Sequence, residues 1–423
     1  MLAPLPRMLA ALAGIGAVLL LAAGGDADPT RKPSTPEART GSFYGPALTA
    51  LPDAAPATRE LTLPPFRNAT AIWGSTGRDL QGRVWIGVSA GNAGMSAHLM
   101  EYDAEADVLH DRGSVVDQLK VAGKHRPGEG QVKIHTRLIT ADDGWLYFAS
   151  TDEDGEVEDG TVPPRWGGHF WRVDPDAGTW QHLWSAPQGL VAAAGVGRYV
   201  YVLGYWNHVL FQHDTATGAM RQVVVGSVGG HVSRNLLAGG NGHAYVPRVL
   251  RQGKVASVAL VEYDAELKEI GATPLEHYTG PGLAISENHG ITGLTYLADG
   301  RLAFTTHRGH LYLVEPQAGG PARVSAVGWF HPQGPRYAPS LFCLDGRRYL
   351  AGVTQRGPRF DWVVFDLQTK RSTAHPLDTK GLKNVLLYGS TARDNAGRFY
   401  LGGWTTSPAD RERPFLLQLG SPR

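Results

Sequence analysis

Cysteine is nearly absent: one residue, Cys343, in a chain of 423. A single thiol forms no internal disulfide, so the fold must hold by its core. Cys343 sits in the apolar run Ser340-Leu341-Phe342-Cys343-Leu344 and reads as inert packing. Excess charge of either sign is also missing, with 40 Lys and Arg against 39 Asp and Glu, a formal net of +1. That balance excludes the basic footprint of a nucleic-acid binder. Helical periodicity is absent over any long window. No P-loop, nucleophile elbow or dinucleotide fingerprint occurs, and Gly239-Gly240-Asn241-Gly242 reads as a β-turn, not a phosphate cradle. Short H-x-x-x-H and C-x-x-C spacings are lacking. No paired carboxylates stand out on the face where the inner strands are expected to begin, which argues against an ordinary glycosidase.

The one long apolar run is Met8 to Ala23, preceded by Arg7 and followed by the small residues Gly24 and Gly25. This is the pattern of an export signal over residues 1–25, short for a membrane span; a retained N-terminal anchor is the alternative. No cysteine follows it, which excludes lipid attachment there. Residues 26–58 are rich in Pro, Ala, Thr and charge and read as a flexible tether. Folded structure is expected from Arg59-Glu60-Leu61-Thr62-Leu63 to the C-terminus. The product is expected in the periplasm or outside the cell, monomeric and without stable membrane insertion once the signal is removed.

What the chain has in abundance is glycine (54), proline (28), tryptophan (11) and tyrosine (15). These suit many short strands joined by tight turns. The segment Trp73-Gly74-Ser75-Thr76-Gly77-Arg78-Asp79-Leu80-Gln81-Gly82-Arg83-Val84-Trp85-Ile86-Gly87 returns near the other end as Tyr388-Gly389-Ser390-Thr391-Ala392-Arg393-Asp394-Asn395-Ala396-Gly397-Arg398-Phe399-Tyr400-Leu401-Gly402. Each is a strand, a D-x-x-G turn and a second strand. Looser copies centre on Gly144, Gly197, Gly242, Gly300 and Gly346, giving seven at a spacing of roughly fifty residues, the length of a four-stranded blade. One blade cannot bury both faces, so the copies must stack around an axis. The fold expected over residues 59–423 is therefore all-β, a seven-bladed β-propeller of four-stranded antiparallel blades; six or eight blades are the alternatives.

Counting back nine residues from each turn glycine gives the start of each inner strand: Trp73, His135, Gln188, Ser233, Ile291, Tyr337 and Tyr388. Two residues earlier stand Lys133, His231 and His289. Strand side chains alternate, so Lys133, His135 and Arg137 point the same way. The loops between second and third strands return to this face with Asp152 to Asp159, Tyr205-Trp206-Asn207-His208, His307-Arg308 and Trp404, and His169 follows an expanded blade-two loop. The bland reading is that a lone strand His is packed, that Trp and Tyr are core, that the acidic run is a solvated loop, and that His110, His182, His213 and His375 lie at edges or on the surface. Convergence of His135, His169, His231, His289 and His307 on one face favours a functional site there.

Three chemistries fit such a face. Elimination across a uronic acid needs a cation to neutralise the carboxylate, a base for the C5 proton and an acid for the leaving oxygen. His135 is the first choice of base, Tyr205 or His169 of acid, and Arg137, Arg234 or Arg308 of neutralising cation. Lys133, Trp206, His208, His231, His289, His307, Arg308, Tyr337 and Tyr388 would contact substrate. This reading needs no cofactor, and its partner is an acidic polysaccharide or oligosaccharide. The strand start Lys133-Ile134-His135-Thr136, the Gly167-Gly168-His169 segment and the later Tyr205 resemble secreted seven-bladed ulvan lyases and rhamnose–glucuronate lyases, which implies His, Tyr and Arg acting on the open face; the insertion before His169 departs from that pattern. Asn288-His289-Gly290-Ile291-Thr292 before Asp299-Gly300 resembles the blade unit of streptogramin-lyase-like propellers. That implies a second chemistry in which His231, His289 and His307 hold a divalent ion, Mn2+ or Ca2+. The third is a binding or scaffold propeller without catalysis.

Overall fold

The computed structural model describes residues 44, 51–157, 161–205, 208–228, 233–252, 255–279, 290–388, 392–406 and 411–420. Seven antiparallel sheets follow one another along the chain. Blade one has the broken inner strand Ala69–Ala71 and Thr76–Arg78, then Val84–Ala90, His98–Asp103 and Val108–Ser114. Blade two repeats this with Lys133–Ile134 and Ile139–Thr140, then Leu146–Thr151, Gly168–Val173 and Trp180–Ala186. Blades three to six open on the inner strands Gly189–Val196, Leu237–Ala238, Ile291–Tyr296 and Phe342–Cys343. Blade seven is built from both ends of the chain: Lys383–Leu387, Phe399–Thr406 and Glu412–Leu419 take Thr58–Leu61 as their fourth strand, with Thr58 opposite Leu419 and Leu61 opposite Leu416.

The seven glycines of the repeat are all at left-handed φ, from +74° at Gly197 to +90° at Gly82. Each turns the chain from the inner to the second strand, a conformation that a Cβ disfavours. The most similar copies also share a lock. Asp79 accepts from the backbone N–H of Arg83 (2.9 Å), from Arg83 Nε (2.5 Å) and from Trp85 Nε1 (2.9 Å). Asp394 accepts from the N–H of Arg398 (2.9 Å), from Arg398 Nε (2.6 Å) and from the Tyr400 hydroxyl (2.7 Å). These buried carboxylates tie each hairpin to its second strand, which is why R-D-x-x-G-R is the legible part of the repeat.

Stacking buries one apolar layer at each of the seven blade interfaces. Ile72, Tyr102, Tyr400 and Leu416 fill the layer where blade seven meets blade one. Cys343 lies in the layer between blades five and six, and burial pushes its thiol up to about 12, as inert packing requires. Among the described residues the one helix, Val115–Val121, is capped by Ser114 and lies in the long connection from blade one to blade two.

Inner strands from adjacent blades come close enough to exclude side chains at particular points. A Cβ at Gly77 would stand 2.2 Å from the Leu138 carbonyl oxygen and 2.7 Å from its Cβ. Gly77→Ala is therefore expected to destabilise the fold by about 1–3 kcal/mol through overpacking against backbone. A urea melt checks this, and an unchanged midpoint would contradict the close approach.

Candidate functional site

The inner strands are irregular near the face where they begin. That of blade one breaks at Trp73-Gly74-Ser75 and that of blade two at His135-Thr136-Arg137-Leu138. In blade six the regular part does not start until Phe342, after the Tyr337–Gln355 bridge. Such breaks re-aim side chains that regular pleating would send between blades.

The result is a cluster drawn from every blade. His135 Nδ1 lies 2.8 Å from the Val191 carbonyl of blade three and must carry the proton there. Its Nε2 is then an acceptor, and Arg234 of blade four donates to it from Nη1 at 2.7 Å. The Arg234 guanidinium sits 5.6 Å from the Trp73 ring of blade one and 4.8 Å from the Tyr388 ring of blade seven. Those two rings are 4.6 Å apart, and Trp73 stacks on His135 at 6.4 Å. Lys133 holds its ammonium 4.5 Å from the Trp73 ring and pairs with Glu153. His307 of blade five lies 5.1 Å from Tyr337 of blade six, whose hydroxyl donates to the Leu387 carbonyl at 3.2 Å.

The cluster is cationic and partly dry. Trp73, Lys133, Arg234, His307 and Tyr337 are partly exposed, and His135 and Tyr388 are buried beneath them. Burial, then the charges of Arg234 and Lys133, hold the His135 imidazole well below its usual range, so it is neutral. Burial and Arg234 likewise push His307 down to about 4. Burial raises the Tyr337 phenol, which keeps its proton. Arg234 Nε is buried without a hydrogen-bond partner, and no carboxylate among the described residues forms an ion pair with this guanidinium. Beside Trp73 and Lys133 opens a groove of about 340 Å3 that also touches Thr70, Asn92, Glu153 and Glu412. The arrangement can receive a carboxylate on Arg234, stack an apolar ring face on Trp73, and offer a neutral imidazole and a protonated phenol.

Not every residue singled out in the sequence joins this cluster. Arg137 is buried deeper, where it meets Tyr296 of blade five; burial lowers its pKa. Tyr205 is fully buried in the apolar layer between blades three and four. His208 is buried too, with Nδ1 3.3 Å from the Ser227 carbonyl. Arg308 turns outward over Trp329 at 5.5 Å. His169 is one strand further from the axis than the second strand of blade two, opposite Ser150. Its Nδ1 lies 2.9 Å from His182 Nε2 and its Nε2 2.9 Å from Glu129. Burial raises the Glu129 carboxyl, but bonds from His169 and Arg126 outweigh it and leave it at about 2. Trp206, His231 and His289 lie outside the described residues, and His307 is the one described member of the three-histidine set. Among the described residues no group of three or more His, Cys, Asp or Glu is placed to hold a metal ion.

Two surface expectations are corrected. His213 is buried between Tyr147 and Phe170, with ring centroids 5.7 and 5.5 Å away. Asp152, read as part of a solvated loop, is fully buried, and burial pushes its carboxyl up to about 6. Sequence reasoning missed Glu153 as the partner of Lys133 and Glu129 as the partner of His169, because both pairings join segments whose spacing carries no pattern. Trp73 stood in the inner-strand register but was not singled out as a site residue, since an inner-strand Trp packs between blades equally well.

No protein-family model and no curated protein sequence matches the chain. Solved structures similar in fold include a protein of unknown function from Dyadobacter fermentans, at 12% identity and TM-score 0.49, covering 86% of this chain and 99% of that one. The nidogen/laminin complex is similar at 11% identity and TM-score 0.41, covering 73% of this chain and 98% of that one. TolB from Acinetobacter baumannii is similar at 12% identity and TM-score 0.36, covering 80% of each. These likenesses concern the fold alone. No helix among the described residues is long and apolar enough to cross a membrane.

The buried imidazoles set a pH dependence. His182, His213 and His307 are each pushed by burial from 6.5 to about 4, and His135 is lowered as well. Below pH 6.5 the unfolded chain takes up protons that the native chain refuses. Stability is therefore expected to be highest above about pH 6.5 and to fall as pH drops toward 4. Urea melts across that window check it, and a flat profile would contradict these burials. In Arg234→Gln the His135 resonance is expected to titrate at a higher pH than in the parent protein, because a neighbouring positive charge has gone.

Proposed function

We propose that this chain is an exported carbohydrate-active propeller whose axial mouth binds a uronic-acid-bearing saccharide and cleaves it by β-elimination. The observation that carries the reading is the hydrogen bond from Arg234 to His135 Nε2, set among the rings of Trp73, Tyr337 and Tyr388. A uronate carboxylate on Arg234 takes up its N–H groups and offsets its charge. Both effects release His135 Nε2 and raise its proton affinity, so the base is armed by the substrate. Nε2 then removes the C5 proton, the C5–H electron pair becomes the C4=C5 double bond, and the C4–O bond breaks. The leaving oxygen takes the proton of the Tyr337 hydroxyl, which turns to it from the Leu387 carbonyl, and leaves a phenolate that recovers a proton before the next turnover. Tyr337 replaces Tyr205 and His169 as the acid, because those two are buried away from the axis. Export to the periplasm or beyond rests on the apolar run Met8 to Ala23.

One observation favours a second reading, binding without cleavage: His135 is only 2% exposed. The two readings separate in one experiment. The protein is incubated with polygalacturonate, alginate and glucuronate-containing polymers, with and without added Mn2+ or Ca2+, and the ultraviolet absorbance of an unsaturated product is followed. Binding is measured in parallel by calorimetry. His135→Asn and Tyr337→Phe are expected to lose about 100-fold or more in turnover while still binding, and Arg234→Ala to lose binding itself. Binding without product, lost in Arg234→Ala, would establish the non-catalytic reading; neither binding nor product with any polymer would overturn both.

A further inference from the structure

Outward from Tyr337 along blade six runs a groove of about 820 Å3. Its walls come from the segment before the inner strand and from the hairpin between the second and third strands. These are joined where Gln355 N–H donates to the Tyr337 carbonyl at 2.7 Å. Tyr337 therefore belongs to the mouth, and its neighbour Arg336 to the groove. Arg336, Arg356 and Arg359 line it, against the single carboxylate Asp361. Arg356 and Arg359 are exposed, and none of the three guanidiniums forms an ion pair with a carboxylate among the described residues.

A buried donor faces the same space. His331 is 3% exposed, and its Nδ1 accepts the Gln333 backbone N–H at 3.1 Å. The proton of the neutral ring is therefore on Nε2. Burial holds the ring pKa down, so it is the neutral form that lines the groove. Nε2 faces Asp361 Oδ2 at 3.4 Å, the distance of a long ion pair rather than of a well-formed hydrogen bond. The imidazole and the one carboxylate of the groove therefore face each other, which leaves the three guanidiniums without a counter-charge of their own. Arg356 and Arg359, together with Arg336, which is steadied by the Pro335 carbonyl (2.8 Å) and Gln333 Oε1 (3.1 Å), make a cationic channel with one carboxylate, suited to an anionic group carried on a polar backbone.

We propose that this groove is an outer subsite for the next acidic units of a polyanionic saccharide whose first uronate occupies the mouth. The inference rests on the saccharide reading above and adds to it that the ligand is a chain, held by charge at more than one unit. A monomer reaches Arg234 alone, whereas an oligomer leaving past Tyr337 lays its second and third carboxylates or sulfates along Arg336, Arg356 and Arg359. Effective concentration then makes each further contact intramolecular, so affinity rises with length. The guanidinium contacts are also salt-sensitive, since they are solvent-exposed.

The test is calorimetric titration of the full chain with galacturonate, its di- to hexamers, a sulfated glucan, neutral dextran and a single-stranded oligonucleotide. It uses the parent protein, Arg356→Ala/Arg359→Ala and Arg234→Ala. Both groove arginines are exposed, so the double variant is expected to keep the parent urea midpoint. Affinity of the parent is expected to rise with oligomer length, and the double variant to lose about tenfold or more for the hexamer with the monomer unchanged. Carboxylated and sulfated chains that bind alike identify the groove as reading charge, and a preference for one of them names the group. Affinity independent of length, equal losses for monomer and hexamer, or tighter binding of the oligonucleotide than of any saccharide would overturn the proposal. Length-dependent loss in the double variant with no effect of Arg234→Ala would keep the groove and remove the mouth.

Discussion

Ring closure is the constraint on which the rest of the molecule depends. Thr58–Leu61 pairs with Glu412–Leu419, so the last blade is finished by the first strand. Only then does blade one meet blade seven, with Ile72 and Met100 packed on Tyr400 and Leu416. Closure also sets Trp73 4.6 Å from Tyr388. Each blade leaves apolar faces that it cannot cover itself, and the circle is the arrangement in which every face finds a neighbour without an unpaired end. In a chain with a single thiol, these seven buried layers and the backbone ladders supply the cohesion.

A closed ring forces its inner strands together and concentrates whatever they carry. Here they carry cations. Arg234 is the hub, bonded to His135 of blade two, stacked over rings of blades one and seven, and lowering the basicity of His307 on blade five. Gathering an arginine and a lysine around imidazoles in a half-dry space is unfavourable for the empty protein. On the proposed reading an incoming carboxylate would relieve it, and the strain of the empty site would become affinity for an anion. Rings at Trp73, Tyr337 and Tyr388 limit water at the mouth and make the same charges count for more.

The histidines wholly or partly withdrawn from solvent divide into two kinds by what holds them. His169 is fixed between Glu129 and His182, a closed set of bonds that fastens the expanded loop of blade two. His208 is buried against the Ser227 carbonyl, and His213 packs between Tyr147 and Phe170. His135 and His307 instead face the axis beside an arginine with an unused N–H. Residue type is the same throughout; position relative to the axis separates the fastening histidines from those of the axial cluster.

The sequence by itself determined the fold class and the blade count. Seven glycines that must adopt left-handed φ, and carboxylates locking the hairpins of blades one and seven, leave a mark at fixed spacing because each is a local requirement. Register counted from those glycines also placed Trp73, His135, Tyr337 and Tyr388 near one opening. What the sequence left undecided was which side chains turn inward. That depends on breaks in the inner strands and on contacts between blades hundreds of residues apart, and neither leaves a periodic trace. Tertiary structure alone sent Tyr205 into an apolar layer, buried His208 against the Ser227 carbonyl, turned Arg308 toward Trp329, sank Arg137 beside Tyr296, and brought Arg234 onto His135. Local chemistry writes itself into spacing, whereas a meeting across the axis exists only once the ring has closed.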